Sequence, residues 1–188
     1  TGCEIMEGYG LTECSPAVTV NVPGKVIAGT VGFAVPDTEL CTANEAGEIL
    51  SAGERGELWI KGPQVMKGYW NKPEATTESI KNGWFYSGDI GYFDDEGFLY
   101  IHDRVKDMIV SGGENIYPAE VENALLSHPQ ILDAAVIGIP DDKWGEATKA
   151  FIVQSEGDPL DEVEVISYVK TKIAGYKCPK TVEHINEL

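Results

Sequence analysis

Gly91-Tyr92-Phe93-Asp94-Asp95-Glu96-Gly97-Phe98-Leu99-Tyr100-Ile101-His102-Asp103-Arg104-Val105-Lys106-Asp107 is where the chain changes character. Its first part sets Gly91 to Phe93 against Phe98 to Ile101 across Asp94-Asp95-Glu96-Gly97, which is turn chemistry between two strands. Its last part, Asp103 to Asp107, is a dense charge cluster. Upstream, from Gly24 to His102, short strands are punctuated by glycine, and Gly56-Glu57-Leu58-Trp59-Ile60-Lys61 alternates as a half-buried strand does. This predicts antiparallel hairpins in a small barrel or sandwich. One short helix interrupts them, with Pro73 at its first position in Pro73-Glu74-Ala75-Thr76-Thr77-Glu78.

Downstream of Arg104 the pattern becomes one of alternating helices and strands. Pro118 opens a helix with Val121, Ala124 and Leu125 on one face, and Pro129 ends it. Ile131 to Ile139 reads as a buried strand and Lys149 to Gln154 as another. A second helix is expected from Asp158-Pro159, with Leu160, Val163, Ile166, Val169 and Ile173 on its apolar face. Asp161, Glu162 and Glu164 come early in it, Lys170 and Lys172 late, and Gly175 sits just beyond, as the helix dipole and a glycine stop favour. The expected class is α+β: residues 1–23 form the end of a nucleotide-binding core, 24–104 a β-rich subdomain, and 105–188 a small, mobile α+β domain.

Composition bounds the function. With 43% hydrophobic and 24% charged residues the chain reads as globular, and 188 residues suffice for one large or two small domains. Fourteen basic against 31 acidic residues give a net charge of -17, which argues against nonspecific nucleic-acid binding. No apolar run approaches the roughly 20 residues of a membrane span, and no basic signal region precedes Thr1-Gly2-Cys3-Glu4, so a soluble cytoplasmic location is expected. Cys3, Cys14, Cys41 and Cys178 lie far apart without metal-ligand spacing, which fits structural thiols in a reducing compartment.

Four segments carry chemistry. In Gly8-Tyr9-Gly10-Leu11-Thr12-Glu13, glycines permit close backbone approach, a hydroxyl suits a phosphoryl oxygen, and a carboxylate suits Mg²⁺. In Trp84-Phe85-Tyr86-Ser87-Gly88-Asp89, a carboxylate follows a glycine at a strand entrance, where it can accept two ribose hydroxyls. The charge cluster around Arg104 lies between the two predicted domains, and Ser111-Gly112-Gly113-Glu114-Asn115 reads as a flexible loop before a helix. Taken singly, these segments read equally as a helix cap, a turn, a solvated linker and a helix entry.

Together, and in order, they resemble the adenylate-forming superfamily of acyl-CoA synthetases, firefly luciferase and peptide-synthetase adenylation domains. The resemblance runs through Tyr-Gly-Leu-Thr-Glu at 9–13, Gly-Glu-Leu-Trp-Ile-Lys-Gly at 56–62, Gly-Tyr-Trp at 68–70, Ser-Gly-Asp at 87–89 and Asp-Arg-Val-Lys-Asp at 103–107. It continues through Gly-Gly-Glu-Asn-Ile-Tyr-Pro at 112–118 and Tyr-Lys-Cys-Pro-Lys at 176–180. Pro-Ala-Glu-Val-Glu at 118–122 and Pro-Asp-Asp-Lys-Trp-Gly-Glu at 140–146 look most like medium- or long-chain fatty-acid CoA ligases.

The resemblance implies a carboxylic-acid substrate, ATP with Mg²⁺, coenzyme A, and release of AMP and pyrophosphate. Tyr9 would lie against adenine, Gly10 would belong to the same nucleotide site, Thr12 would contact the phosphates, Glu13 would hold Mg²⁺, and Asp89 with Arg104 would hold the ribose. Lys106 would be the hinge between two half-reactions, and it joins Thr12 and Glu13 as the residues implied in catalysis. Gly112 and Gly113 would flank the pantetheine arm of CoA, and Trp144 would touch CoA. An adenylation domain charging a carrier protein, or a non-catalytic nucleotide-binding remnant, are the alternatives. The family's glycine-rich phosphate loop and its catalytic lysine motif are not within these 188 residues, and Val110 stands where some relatives carry lysine. The expectation is therefore an inactive C-terminal piece that exposes apolar surface to its missing N-terminal part and tends to self-associate, as in a homodimer.

Overall fold

The computed structural model describes residues 2–155, 157 and 160–188. The chain divides into two compact units, Thr1–Val105 and Lys106–Leu188. Among the described residues no helix is long and apolar enough to cross a membrane.

The first unit opens with β1 (Gly8–Gly10), β2 (Ala17–Val20) and β3 (Phe33–Ala34), a three-stranded antiparallel sheet. It continues with β4 (Glu39–Ala43), β5 (Gly56–Lys61), α1 (Pro73–Ser79), β6 (Ile80–Lys81), β7 (Trp84–Phe93) and β8 (Leu99–Arg104). These strands form a second antiparallel sheet in the order β4-β5-β7-β6, with β8 also on β7. The two sheets share one core: Cys14 and Val18 meet Leu58, Ile60, Phe85 and Leu99. That is the sandwich side of the expectation. The barrel does not form, because among the described residues β4 pairs only with β5 and β8 only with β7, which leaves the sheet open.

Strand β5 alternates buried and half-buried residues along its whole length, so its period-2 pattern matches a strand with one face on the core. The hairpin of β7 and β8 pairs Gly91 with Ile101, Tyr92 with Tyr100 and Phe93 with Leu99. The Asp94 side chain accepts the backbone N–H groups of Glu96 and Phe98 and so closes the turn. Helix α1 starts at Pro73, where the missing N–H costs nothing.

The second unit contains β9 (Ile109–Ser111), β10 (Glu114–Ile116), α2 (Pro118–Leu126), β11 (Ile131–Asp141), β12 (Gly145–Gln154), α3 (Glu162–Lys170) and β13 (Thr181–His184). Its sheet runs β10-β9-β12-β11 with antiparallel neighbours, and β13 joins β12 in parallel. Val121, Ala124 and Leu125 of α2, with Val165 and Val169 of α3, cover Ala134, Val136, Ala150 and Ile152 of the sheet. Lys177 donates to both carboxylate oxygens of Glu120 at 2.7 Å and ties the segment before β13 to the first turn of α2. Both side chains are largely buried, a setting in which removing one partner of an ion pair is costly.

Four expectations are corrected here. The segment 111–115 is a β-hairpin rather than a flexible loop: Gly112 and Gly113, at φ +63° and +86°, join β9 to β10. Strand β12 begins at Gly145, four residues before Lys149. Helix α3 begins at Glu162, capped by the Asp161 carboxylate, which accepts the Val163 N–H at 2.6 Å. Leu160 is therefore buried but outside the helix; of the expected face Val169 is buried, Ile166 half-buried and Ile173 packed on the core beyond the helix, and Val163 alone is misplaced. Val165 and Val169 are buried, whereas Val163 is 70% exposed. Gly175 lies in a short 3₁₀ turn, Gly175–Lys177, and the helix stops at Lys170 without it. Asp158 and Pro159, the expected helix start, lie outside the described residues.

The core and surface positions differ in what they contribute. Leu125→Ala should destabilise the second unit by about 2–5 kcal/mol, whereas Val163→Ala should stay within about 0.5 kcal/mol. Denaturant unfolding of both variants checks this, and equal losses would mean that the phase of α3 is misassigned.

Candidate functional site

The site in the first unit is built on a fault in the β5–β7 ladder. Glu57 pairs with Ile90 and Trp59 with Tyr86, so Ser87, Gly88 and Asp89 stand opposite Leu58 alone. The expected position of Asp89 at a strand entrance is thus corrected to a bulge inside a ten-residue strand. Bulges re-aim side chains, and this one turns the Asp89 carboxylate toward Tyr9 and Arg104. The Tyr9 hydroxyl donates to Asp89 Oδ2 at 2.5 Å, and Arg104 Nε lies 3.6 Å from Asp89 Oδ1. Arg104 is also the ladder neighbour of Asp89 across β7 and β8.

Backbone donors displaced by the bulge are taken up by side chains. Ser87 Oγ donates to the Leu58 carbonyl at 2.7 Å and accepts the Asp89 N–H at 3.1 Å. Gly88 N–H, at a residue with φ +73°, donates to Glu57 Oε1 at 3.0 Å. Burial, followed by the hydrogen bond to Asp89 and its charge, pushes the Tyr9 phenol well above the usual tyrosine range, so the ring carries a neutral donor.

Segment 8–13 does not cap a regular helix. Gly8, Tyr9 and Gly10 form β1, and Thr12–Cys14 is a single 3₁₀ turn preceded by Leu11 without a side-chain cap. At Gly10 a Cβ would stand 1.8 Å from the Pro16 carbonyl oxygen, so glycine is required by the close approach of β2. Thr12 is exposed and Glu13 half-buried. Tyr69 donates its hydroxyl to Glu13 Oε1 at 2.8 Å, leaving the second carboxylate oxygen for another partner. Among the described residues no three His, Cys, Asp or Glu side chains cluster as a metal cage. The second Glu13 oxygen is the kind of ligand a hard cation such as Mg²⁺ favours.

The remaining sequence-predicted residues belong to the second unit. Lys106 is exposed within the turn Val105–Asp107, at the start of that unit. Gly112 and Gly113 are the exposed tip of the β9–β10 hairpin, and Gly112 N–H donates to the Trp144 carbonyl at 2.8 Å. A Cβ on Gly112 would stand 2.7 Å from Trp144 Cε3, so the absent side chain makes room for the indole. The Asp141 carboxylate accepts the N–H groups of Lys143 and Trp144, both at 2.9 Å, and presents that ring. These two bonds, the Trp144 one first, hold the Asp141 carboxyl below the usual range. Gly112 and Trp144 line a cavity of about 130 Å³ with Ser111, Glu114, Tyr176 and Lys180.

Known proteins match along this whole frame. The family model described as AMP-binding enzyme matches residues 1–70, and the one described as AMP-binding enzyme C-terminal domain matches residues 120–188. The chain belongs to the AMP-binding enzyme family. Of its relatives in that family, the feruloyl-CoA synthase of Amycolatopsis sp is 46% identical over 191 residues, covering all of this chain and 38% of the relative. The long-chain-fatty-acid–CoA ligase of Bacillus subtilis is 47% identical over 190 residues, covering all of this chain and 34% of the relative. The solved o-succinylbenzoate CoA synthetase of Bacillus subtilis, in complex with its acyl-adenylate intermediate, superposes with a TM-score of 0.91. It is 40% identical, over all of this chain and 38% of that one. The chain thus spans between a third and two fifths of the length of these AMP-binding enzymes. These relatives are named as a CoA synthase, a CoA ligase and a CoA synthetase.

Sequence reading missed Tyr69, Glu57, Asp141, Tyr176 and Lys180 as parts of these sites. Alternation made Glu57 a surface position. The available signal was Trp59, two residues on and on the same face, whose indole N–H donates to Glu57 Oε2 at 3.1 Å.

Two outcomes test the geometry. Gly112→Ala should displace the Trp144 ring, read as a shift of its indole N–H resonance with the other three tryptophan resonances unchanged. Cys14 is fully buried, and burial followed by the Glu13 charge raises its thiol from 9.0 to about 11. A raised value means the folded state holds its proton longer, so this contribution is complete below pH 9 and is lost as pH rises toward 11. Unfolding free energy measured from pH 8 to 11 should fall less steeply in Cys14→Ala than in the parent chain.

Proposed function

We propose that this chain carries part of the active site of an ATP-dependent acyl-CoA ligase. In the first half-reaction a carboxylate oxygen attacks the α-phosphorus of ATP, the bond to the bridging oxygen breaks, and pyrophosphate leaves an acyl-adenylate. In the second, the CoA thiol attacks the acyl carbon, AMP departs with the former carboxylate oxygen, and the thiol proton goes to solvent. A carboxylate is a poor acyl donor, and adenylation gives it a good leaving group.

The observation that carries the reading is the bulge that joins Asp89 to Tyr9 and Arg104. A carboxylate has about four lone-pair sites, so Asp89 can serve Tyr9 and still accept two ribose hydroxyls. Tyr9 offers an aromatic face to adenine beside Gly10, and its hydroxyl bond fixes the ring. Thr12 donates to a phosphoryl oxygen. Glu13 would hold Mg²⁺ through one carboxylate oxygen, and the ion would supply charge neutralisation for the departing pyrophosphate. Lys106 stands where the backbone can rotate between half-reactions, because an exposed residue between compact units has few contacts to constrain it. Trp144, set over Gly112, gives the CoA arm an aromatic wall, with Gly113 at the open tip of the same turn.

The acid we favour is a medium- or long-chain fatty acid, on the likeness to the Bacillus ligase. A hydroxycinnamic acid is the second reading, favoured by the equal likeness to feruloyl-CoA synthase. The product of the complete reading frame that carries these residues should release AMP and pyrophosphate with palmitate, ATP and free CoA. Turnover with ferulate alone would replace the fatty acid by the second reading, and turnover only with a phosphopantetheinylated carrier protein would overturn the CoA ligase. In that protein Asp89→Ala should raise the KM for ATP about 10- to 100-fold, with the KM for the acid little changed. An unaltered KM for ATP would remove Asp89 from the nucleotide site.

A further inference from the structure

Glu57 has no role in the reading above, yet it holds the peptide that precedes Asp89. Three residues against one leave the Gly88 N–H without a place in the β5–β7 ladder, and an N–H that loses its ladder partner needs another acceptor. Glu57 Oε1 is that acceptor at 3.0 Å, while Oε2 takes the Trp59 indole N–H at 3.1 Å. The carboxylate is thus fixed at both oxygens on a strand whose neighbours Gly56 and Leu58 are buried. Hydrogen bonds to an ionised acceptor are about twice as strong as neutral ones. The second tether is Ser87, bonded to the Leu58 carbonyl and to the Asp89 N–H.

We propose that Glu57 is a positioning residue for nucleotide binding: by fixing the Gly88 peptide it sets the direction in which Asp89 offers its carboxylate to the paired ribose hydroxyls. The inference rests on the reading of Asp89 as the ribose acceptor. It concerns aim rather than contact, since Glu57 reaches Asp89 only through the Gly88 backbone. A small rotation of that peptide swings the Asp89 side chain out of line with two hydroxyls that must be met together.

The test is calorimetric binding of AMP and of 2′,3′-dideoxy-AMP to the product of the complete reading frame. The parent protein should prefer AMP, and Asp89→Ala should abolish the preference. Glu57→Ala should weaken AMP by about tenfold and leave dideoxy-AMP within about twofold, because only the ligand with hydroxyls senses the aim of Asp89. Glu57→Gln keeps a carbonyl oxygen for the Gly88 N–H and should recover most of the loss. If Asp89→Ala abolishes the preference and Glu57→Ala does not, the inference on Glu57 is overturned and the ribose reading stands. If Asp89→Ala keeps the preference, or the parent protein binds no AMP, both fall. Equal weakening of the two ligands by Glu57→Ala would reduce Glu57 to a structural role and overturn the inference. Should Glu57→Ala fail to fold, Ser87→Ala decides: collapse of the preference supports suspension of Asp89 by its tethers, and an unchanged preference overturns it.

Discussion

A β-ladder leaves no freedom to its backbone polar groups: each N–H either faces its partner strand or must find another acceptor. In the first unit the ladder between β5 and β7 breaks over Ser87-Gly88-Asp89, and the consequences spread outward from that break. Glu57 and Ser87 replace the missing ladder partners, and Asp89 turns toward Tyr9 and Arg104. Those five residues come from four strands of two sheets, and the common core of Cys14, Val18, Leu58, Ile60, Phe85 and Leu99 holds those sheets together. Packing of the core thus fixes how far Tyr9 stands from Asp89.

The second unit presents its residues differently. Here a tight turn of two glycines and a carboxylate-closed turn bring Gly112 and Trp144 into contact. Gly112 serves two needs at once, a positive φ and a bare Cα beneath an indole. The ion pair of Lys177 with Glu120 anchors the segment that brings Tyr176 and Lys180 to the same cavity. The buried ion pair thus lies behind the hairpin, and Gly112 and Gly113 form its exposed tip.

Much of the architecture was legible because each element announces its period. Strand β5 alternates, β11 is a nearly continuous apolar run interrupted by Asp133, and Pro73 and Pro118 mark helix starts that local chemistry alone decides. Phase and pairing were harder. On α3 Val163 was misplaced because the count began at Leu160, which is buried without being helical, and burial without secondary structure leaves no periodic trace. The hairpin at Gly112-Gly113 read as a loop because its strands are three residues each, too short to show alternation. Asp89, Tyr9 and Arg104 were named from their order along the chain, but the bulge that unites them was invisible, since a bulge is a mismatch between two strands and neither strand records it alone. Glu57 was hidden for the same reason.

Three residues against one is an excess of two, an even number, so inward and outward positions keep their sense on either side: Phe85 still faces with Ile60, and Gly91 with Gly56. The same sheet takes a single extra residue close by, since His102 of β8 stands between the Ile90–Asp103 and Gly91–Ile101 pairs. The pleat therefore absorbs an excess of one or of two, and what ties the longer excursion to its strand is the pair of replacement partners, Glu57 and Ser87, rather than the count of residues in it.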